Sequence, residues 1–245
     1  MTSALTRGRV RTLAERFALG SDAPAKLTRL LELVTSDPTA PTTIRDPTRI
    51  LEDHFADSLV ALEVDQVRDA QNAADLGSGA GFPGLPLAIA LPSLNVTLLE
   101  SSRRKCEFIE RAIAACMIQN ASVVCGRAES WREGLGGMDL TTARALAPIP
   151  VVAEYAAPLL RVGGTLVAWR GKRDAAADHS GASAAEQLGL KRLELRAVRP
   201  YPAAEHRHLD LMVKVRETPS RFPRRPGVAG KRPLGVDARS DRLNR

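Results

Sequence analysis

Apolar positions follow two rhythms along this chain of 245 residues. From residue 6 to about residue 62 they recur at three- and four-residue steps. Leu27, Leu30, Leu31 and Val34 do so first, then Ile50, Leu51, Phe55, Leu59 and Leu62, which predicts an N-terminal layer of amphipathic helices. Between them the stretch TSDPTAPTTIRDP (residues 35–47) is too rich in proline and threonine to continue a helix and reads as a loop. After Gln71 the period changes. Short apolar runs at 73–76, 96–99, 122–124, 140–143 and 165–169 alternate with amphipathic segments near 83–91, 103–118, 148–160 and 174–188. Such alternation predicts parallel strands with crossover helices on both faces of one sheet. The runs LKRLELRAVRPYP and HRHLDLMVKVRE have only a loop between them and predict an antiparallel pair closing that sheet.

This α/β pattern, a Rossmann-like doubly wound sheet with a terminal antiparallel pair, resembles the class I S-adenosylmethionine-dependent methyltransferases. The expected organisation is an N-terminal helical extension packed on the core (1–70), a methyltransferase domain (71–217) and a basic, flexible Pro/Arg-rich tail (218–245). After Thr218 the sequence PSRFPRRPGVAGKRPLG is too polar and too broken to pack a core.

Composition sharpens the picture at few points. Of the formal charge of +7, most sits in residues 219–245, which hold eight Lys or Arg against Asp237 and Asp241. Cys106, Cys116 and Cys125 lack CxxC spacing, which argues against a disulfide framework and a zinc site; reduced, mostly buried thiols and no metal are expected. The longest apolar runs are far short of a membrane span, and Arg7, Arg9, Arg11, Glu15 and Arg16 punctuate the first twenty residues, so a cytoplasmic protein is expected; a monomer is expected too, though no feature of the sequence gives the oligomeric state.

The chemistry is concentrated in DLGSGAGFPG, residues 75–84. Gly79, Gly81 and Gly84 spell GxGxxG, with Glu100 about twenty positions on, as in dinucleotide sites. Asp75 ahead of Gly77 instead suits a cofactor with cationic sulfonium and amino groups, because a pyrophosphate would be repelled by the carboxylate. Glu100, at the end of VTLLE, could accept hydrogen bonds from ribose hydroxyls of either cofactor. The chain has no room for a dehydrogenase's substrate domain, which favours the methyl donor. The bland reading, a strand-to-helix turn without ligand, also exists for these glycines.

Acceptor chemistry is partly legible by elimination. The segment after the fourth strand, residues 141–148, has no Asn/Asp-Pro-Pro-aromatic loop for exocyclic amines, and no cysteine follows a proline, so covalent catalysis is not expected. IRDP at 44–47, the spaced His54, Asp57, Ser58 and Leu59, DLGSGAGFPGLPLAIALP, TARA at 142–145, Arg207-His208-Leu209 and the basic tail together resemble the bacterial 16S rRNA guanine-N7 methyltransferases, the glucose-inhibited division protein B family. The resemblance spans nearly the whole chain. It implies transfer of a methyl group from S-adenosylmethionine to N7 of one guanosine, with 16S ribosomal RNA or the 30S subunit as partner. Guanine N7 carries an in-plane lone pair and no proton, so no general base is required.

Asp75, Gly77 and Gly79 form the DxGxG that suits the cofactor; carried over by position, the resemblance implies Gly77 and Phe82 on its methionine side, Glu100 at the ribose, Ala128 and Glu129 at the adenine, and a methionine carboxylate or RNA phosphate at Arg144. His54, Asp57 and Arg144 are the candidates for the catalytic centre; His54 and Asp57 could touch the target nucleotide or hydrogen-bond one another. Arg170, Lys172, Arg207, Arg221, Arg224, Arg225, Lys231 and Arg232 are the expected RNA contacts. Departures from the family pattern occur at Ala40-Pro41-Thr42, at Asp53 where a basic residue is frequent, and at Arg170-Gly171 where lysine-glycine is usual. With 4% aromatic residues, stacking platforms are scarce and recognition should rest on charge and RNA shape. Two alternatives stay open: a small-molecule methyltransferase on this fold, and a noncatalytic RNA-binding assembly factor.

Overall fold

The computed structural model describes residues 3–235. Ser3 caps α1 (Ala4–Arg16) by accepting from the Thr6 N–H. Helix α2 (Ala23–Ser36) buries Leu27, Leu30, Leu31 and Val34, the stripe its spacing predicts. The IRDP motif then has a local cause. The Arg45 guanidinium donates to the carbonyls of Val34, Asp37 and Ala40, satisfying the open end of α2. Asp46 accepts from the Arg49 N–H and Pro47 opens α3 (Pro47–Arg49). The chain continues through a π-helical stretch (Ile50–Ala56), α4 (Asp57–Leu59), a 3₁₀ turn (Val60–Glu63) and α5 (Asp65–Arg68). Where the sequence suggested a regular helix, the winding is widened over the residues that carry Asp53 and His54; such π turns concentrate at functional sites.

The sheet follows as β1 (Asn72–Leu76), α6 (Gly84–Ala90), β2 (Asn95–Glu100), α7 (Arg103–Ala115), β3 (Ala121–Cys125), β4 (Met138–Arg144), α8 (Ile149–Ala156), β5 (Leu160–Arg170), α9 (Ala175–Leu188), β6 (Leu190–Val198) and β7 (Arg207–Lys214). Its order is β3-β2-β1-β4-β5-β7-β6. Strands β1 to β5 are parallel, and β7 runs antiparallel to both β5 and β6, as the two closing runs predict. One face of the sheet shares a continuous apolar core with the N-terminal helices, α6 and α7; the other packs α8 and α9. Strand order reverses between β1 and β4, the place where open α/β sheets leave a crevice at their carboxyl ends.

The tail departs from expectation. Residues 219–235 pack on the α8–α9 face: Phe222 and Ala229 are buried, Leu234 lies against the same core, and α10 (Val228–Lys231) forms a short turn of helix. Arg224 is forked onto Glu154 of α8, with Nε 2.7 Å from Oε1. The polar composition hid these anchors because three apolar side chains and one buried ion pair suffice to fasten so short a segment. The rest of the expected tail, 236–245, lies outside the described residues. Among the described residues no helix is long and apolar enough to cross a membrane, and no cluster of His, Cys, Asp or Glu could hold a metal ion. Cys106 and Cys116 are buried and Cys125 is exposed, all as free thiols.

Candidate functional site

The loop between β1 and α6 is held from beneath. Asp75 is 1% exposed; its Oδ2 accepts from the Gly84 N–H at 3.2 Å and its Oδ1 from the Thr142 hydroxyl at 2.8 Å. Burial pushes its carboxyl upward from the ordinary range, an effect opposed by these hydrogen bonds. The expected electrostatic contact with a cationic cofactor is therefore corrected: the carboxylate faces inward and ties β1 and β4 to the start of α6. The third glycine of the fingerprint belongs to the same device, since a Cβ at Gly84 would stand 2.8 Å from Asp75 Oδ2. Gly77, Gly79 and Gly81 all have positive φ (66°, 60° and 89°), which bends the loop over the strand ends.

Two cavities flank the end of β4. The first, about 110 Å³, is lined by Gly77, Leu99, Ser101, Gly126, Arg127, Ala128, Glu129, Leu146 and Tyr155. This lining suits an adenosyl group, with apolar side chains from Leu99, Ala128 and Leu146 beside the Glu129 carboxylate, and Glu100 ends the neighbouring strand. Glu100 is oriented by backbone donors, the Gly79 N–H at 3.1 Å and the Ser102 N–H at 2.9 Å. Glu129 is buried and accepts from the Gly227 N–H of the C-terminal segment, so the wall at Glu129 is braced by a residue from the expected tail. Gly77, Ala128 and Glu129 thus line one cavity, and the Gly79 N–H donates to Glu100.

The second cavity, about 480 Å³, is lined by Ile44, Arg49, Asp53, His54, Asp57, Arg144, Ala145, Trp169, Arg170, Gly171 and Arg207. It gathers the three candidate catalytic residues, and its contacts reassign them. Arg144 donates to Asp57 Oδ2 (2.9 Å), to the Asp53 carbonyl (2.9 Å) and to His54 Nδ1 (3.3 Å). This arginine therefore ties β4 to the N-terminal layer, and its guanidinium is already engaged by three acceptors. His54 and Asp57 do not hydrogen-bond one another. His54 Nε2 lies 2.9 Å from the Thr42 hydroxyl, and Nδ1 lies 3.3 Å from both the Arg144 guanidinium and the Asp53 carbonyl, so both ring nitrogens have polar partners. Phe82 stacks on His54 at 4.6 Å and lies under Arg144; it supports this cavity from below and lines neither one.

Burial, then the Arg144 charge, hold the His54 imidazole at a pKa of about 4 against an ordinary 6.5. The unfolded chain takes up this proton near 6.5 and the folded chain resists it until about 4, so stability falls as pH drops through that window. The loss is roughly 3 kcal/mol. A His54→Asn variant should show a flatter Tm profile between those pH values than the unaltered chain; identical profiles would assign the slope to other groups.

The expected RNA contacts divide. Arg170 points inward to Asp178 and to the fully buried Asp210, which Arg192 also grips at 2.8 Å. Arg224 is likewise occupied by Glu154, so both are internal ion pairs rather than free phosphate ligands. Lys172, Arg221, Arg225, Lys231 and Arg232 are exposed, and Arg207 sits half-exposed at the rim of the second cavity. Sequence reading missed Tyr201, whose hydroxyl donates to Asp53, and Trp169, whose Nε1–H donates to the Asp57 carbonyl at 2.6 Å. It also missed Glu154 and Asp210. A lone acid inside the apolar IPVVAEYA, and another at an inward position of HLDLMV, were the available signals.

Comparison with known proteins gives concordant findings. The family model described as rRNA small subunit methyltransferase G (GidB) matches residues 26–207. A protein named ribosomal RNA small subunit methyltransferase G from Synechococcus sp. is 38% identical over 206 residues, covering 81% of this chain and 79% of the relative. Its namesake from Rubrobacter xylanophilus is 40% identical over 196 residues, covering 78% and 75%. Among solved structures, a SAM-dependent methyltransferase from Aquifex aeolicus superposes with a TM-score of 0.54 at 15% identity, covering 69% of this chain and 94% of that one.

Proposed function

The chain belongs to the rRNA small subunit methyltransferase G (GidB) family, and from that premise we propose that it transfers a methyl group from S-adenosylmethionine to N7 of one guanosine in 16S ribosomal RNA. The observation that carries the reading is the shared wall: Arg144 and Ala145 line the larger cavity, and Leu146, the next residue, lines the smaller. A donor in one and a base in the other would be neighbours across three residues of backbone.

S-adenosylmethionine supplies an electrophilic methyl group on its sulfonium. The chain supplies position. Ala128 and Glu129 would hold the adenine, Glu100 the ribose hydroxyls, and the backbone turn at Gly77 and Gly79 would pass close to the remainder. The base would enter the larger cavity, extruded from any duplex it occupied. Its N7 lone pair needs no deprotonation, and His54 suits that chemistry as a structural group: it is neutral at physiological pH and both ring nitrogens are occupied. Rate enhancement then rests on holding N7 in line with the methyl group and keeping water out. Arg207 at the rim and the exposed Lys172, Arg221, Arg225, Lys231 and Arg232 are the phosphate contacts of this reading.

Labelled S-adenosylmethionine, offered with 30S subunits and with naked 16S rRNA from cells lacking this activity, should yield 7-methylguanosine on nuclease digestion and mass spectrometry. Transfer to one form only would name the substrate. A different nucleoside product, or methylation of small molecules alone, would overturn the proposal.

A further inference from the structure

We propose that Asp57 selects the base: its Oδ1 accepts hydrogen bonds from the 2-amino group and the adjacent N1–H of guanine in the larger cavity. The inference rests on the methyl-transfer reading above and adds the group that distinguishes guanine from other bases.

The observation is an unused acceptor. Asp57 is 6% exposed, and its Oδ1 has no hydrogen-bond partner among the described residues. Its other oxygen is held by Arg144 at 2.9 Å from β4, which orients the carboxylate, while Trp169 from β5 donates to the backbone carbonyl and holds the residue in place. The neighbouring cation does not complete it: Arg207 Nε stands 3.7 Å from Oδ1, beyond hydrogen-bond reach, on a side chain 38% exposed. A buried carboxylate oxygen without a donor is costly to keep. The other acid of the cavity, Asp53, is already occupied by Arg49 and Tyr201.

The missing donors identify the ligand. Arg207 at the cavity edge suits a nucleotide's phosphate, leaving the base to meet Asp57. Guanine presents two adjacent N–H donors on its Watson–Crick edge. Adenine and cytosine place a ring-nitrogen acceptor there, and uracil flanks its single N–H with two carbonyls; a carboxylate repels all three arrangements. Gripping guanine by this edge also leaves N7, on the far side of the ring system, free to face the donor. As the base enters, Arg207 swings from Oδ1 toward the phosphate.

The test uses 16S substrate, as 30S particle or naked RNA, in which the guanosine found methylated is replaced by inosine, which lacks only the 2-amino group. The unaltered enzyme should methylate inosine with kcat/KM about 100-fold below guanosine. Asp57→Asn, which presents an amide N–H to the base, should lose about 100-fold on guanosine and bring the two substrates within a few-fold, with S-adenosylmethionine affinity unchanged. Equal rates on both by the unaltered enzyme would overturn the assignment without any variant, as would an Asp57→Asn enzyme that keeps full discrimination. Absence of transfer to guanosine by the unaltered enzyme would overturn the methyl-transfer reading itself, and the assignment with it.

Discussion

Replacing Arg224 with alanine is expected to lower the melting temperature by about 10 °C, an effect out of proportion for an arginine in a basic C-terminal stretch. The reason lies in its partner. Glu154 is fully buried on α8, its side chain 1% exposed, and both its oxygens are held by the Arg224 fork while Arg224 itself remains 23% exposed. Removing the guanidinium leaves a buried carboxylate with no countercharge and only the backbone N–H of residue 224 at 3.3 Å, for which the cost is roughly 3 kcal/mol or more. Exchanging both members together, Arg224→Leu with Glu154→Leu, should recover most of the loss, because no uncompensated charge remains. The same substitution should weaken S-adenosylmethionine binding, since the segment it unfastens carries the Gly227 N–H that braces Glu129. Calorimetry on the single and double variants checks both points. An Arg224→Ala protein with an unchanged melting temperature and altered only in the salt dependence of RNA binding would restore the picture of a solvated arm.

The second large effect concerns Asp75 and separates two kinds of aspartate. Were its charge the attraction for a cationic cofactor, Asp75→Asn would abolish binding. The inward geometry predicts the opposite: asparagine keeps an acceptor for the Gly84 N–H and a donor for the Thr142 hydroxyl, so S-adenosylmethionine affinity should stay within a few-fold. Asp75→Ala removes both partners' bonds in a fully buried place and should cost about 2–3 kcal/mol of stability. The glycine loop then loses its anchor, and affinity should fall at least 100-fold. Titration calorimetry on the two variants decides: strong loss in both would return the carboxylate to a direct electrostatic role.

These cases show what the amino-acid sequence made legible. The sheet was readable because each strand is a short apolar run bounded by polar turns and each crossover helix has a stripe, information that is local. The glycine loop was readable for the same reason. What escaped depends on partners far apart in the chain. Glu154 and Arg224 are 70 positions apart, and Arg144 meets Asp57 at a separation of 87. Position within a motif identified Asp75, Arg144 and Arg170 as notable but not which way they face. All three turned out to be braces, and the unpaired oxygen of Asp57 emerged only once its neighbours were in place. Tail composition misled because an average over many prolines and arginines conceals single anchors such as Phe222.

The fastening of residues 219–235 also bears on the order in which the molecule becomes competent. Ribosomal synthesis proceeds from the N-terminus, and domains fold as they emerge. Here every strand of the sheet is translated before Arg224 and Gly227 exist, so a nascent chain can pair its strands while Glu154 and Glu129 still wait for their partners. Until then Glu154 lacks its arginine and the cavity wall at Glu129 lacks its brace. A chain cut short before the strap is expected to fold its sheet yet hold S-adenosylmethionine poorly, which titration of a chain ending at residue 218 would check.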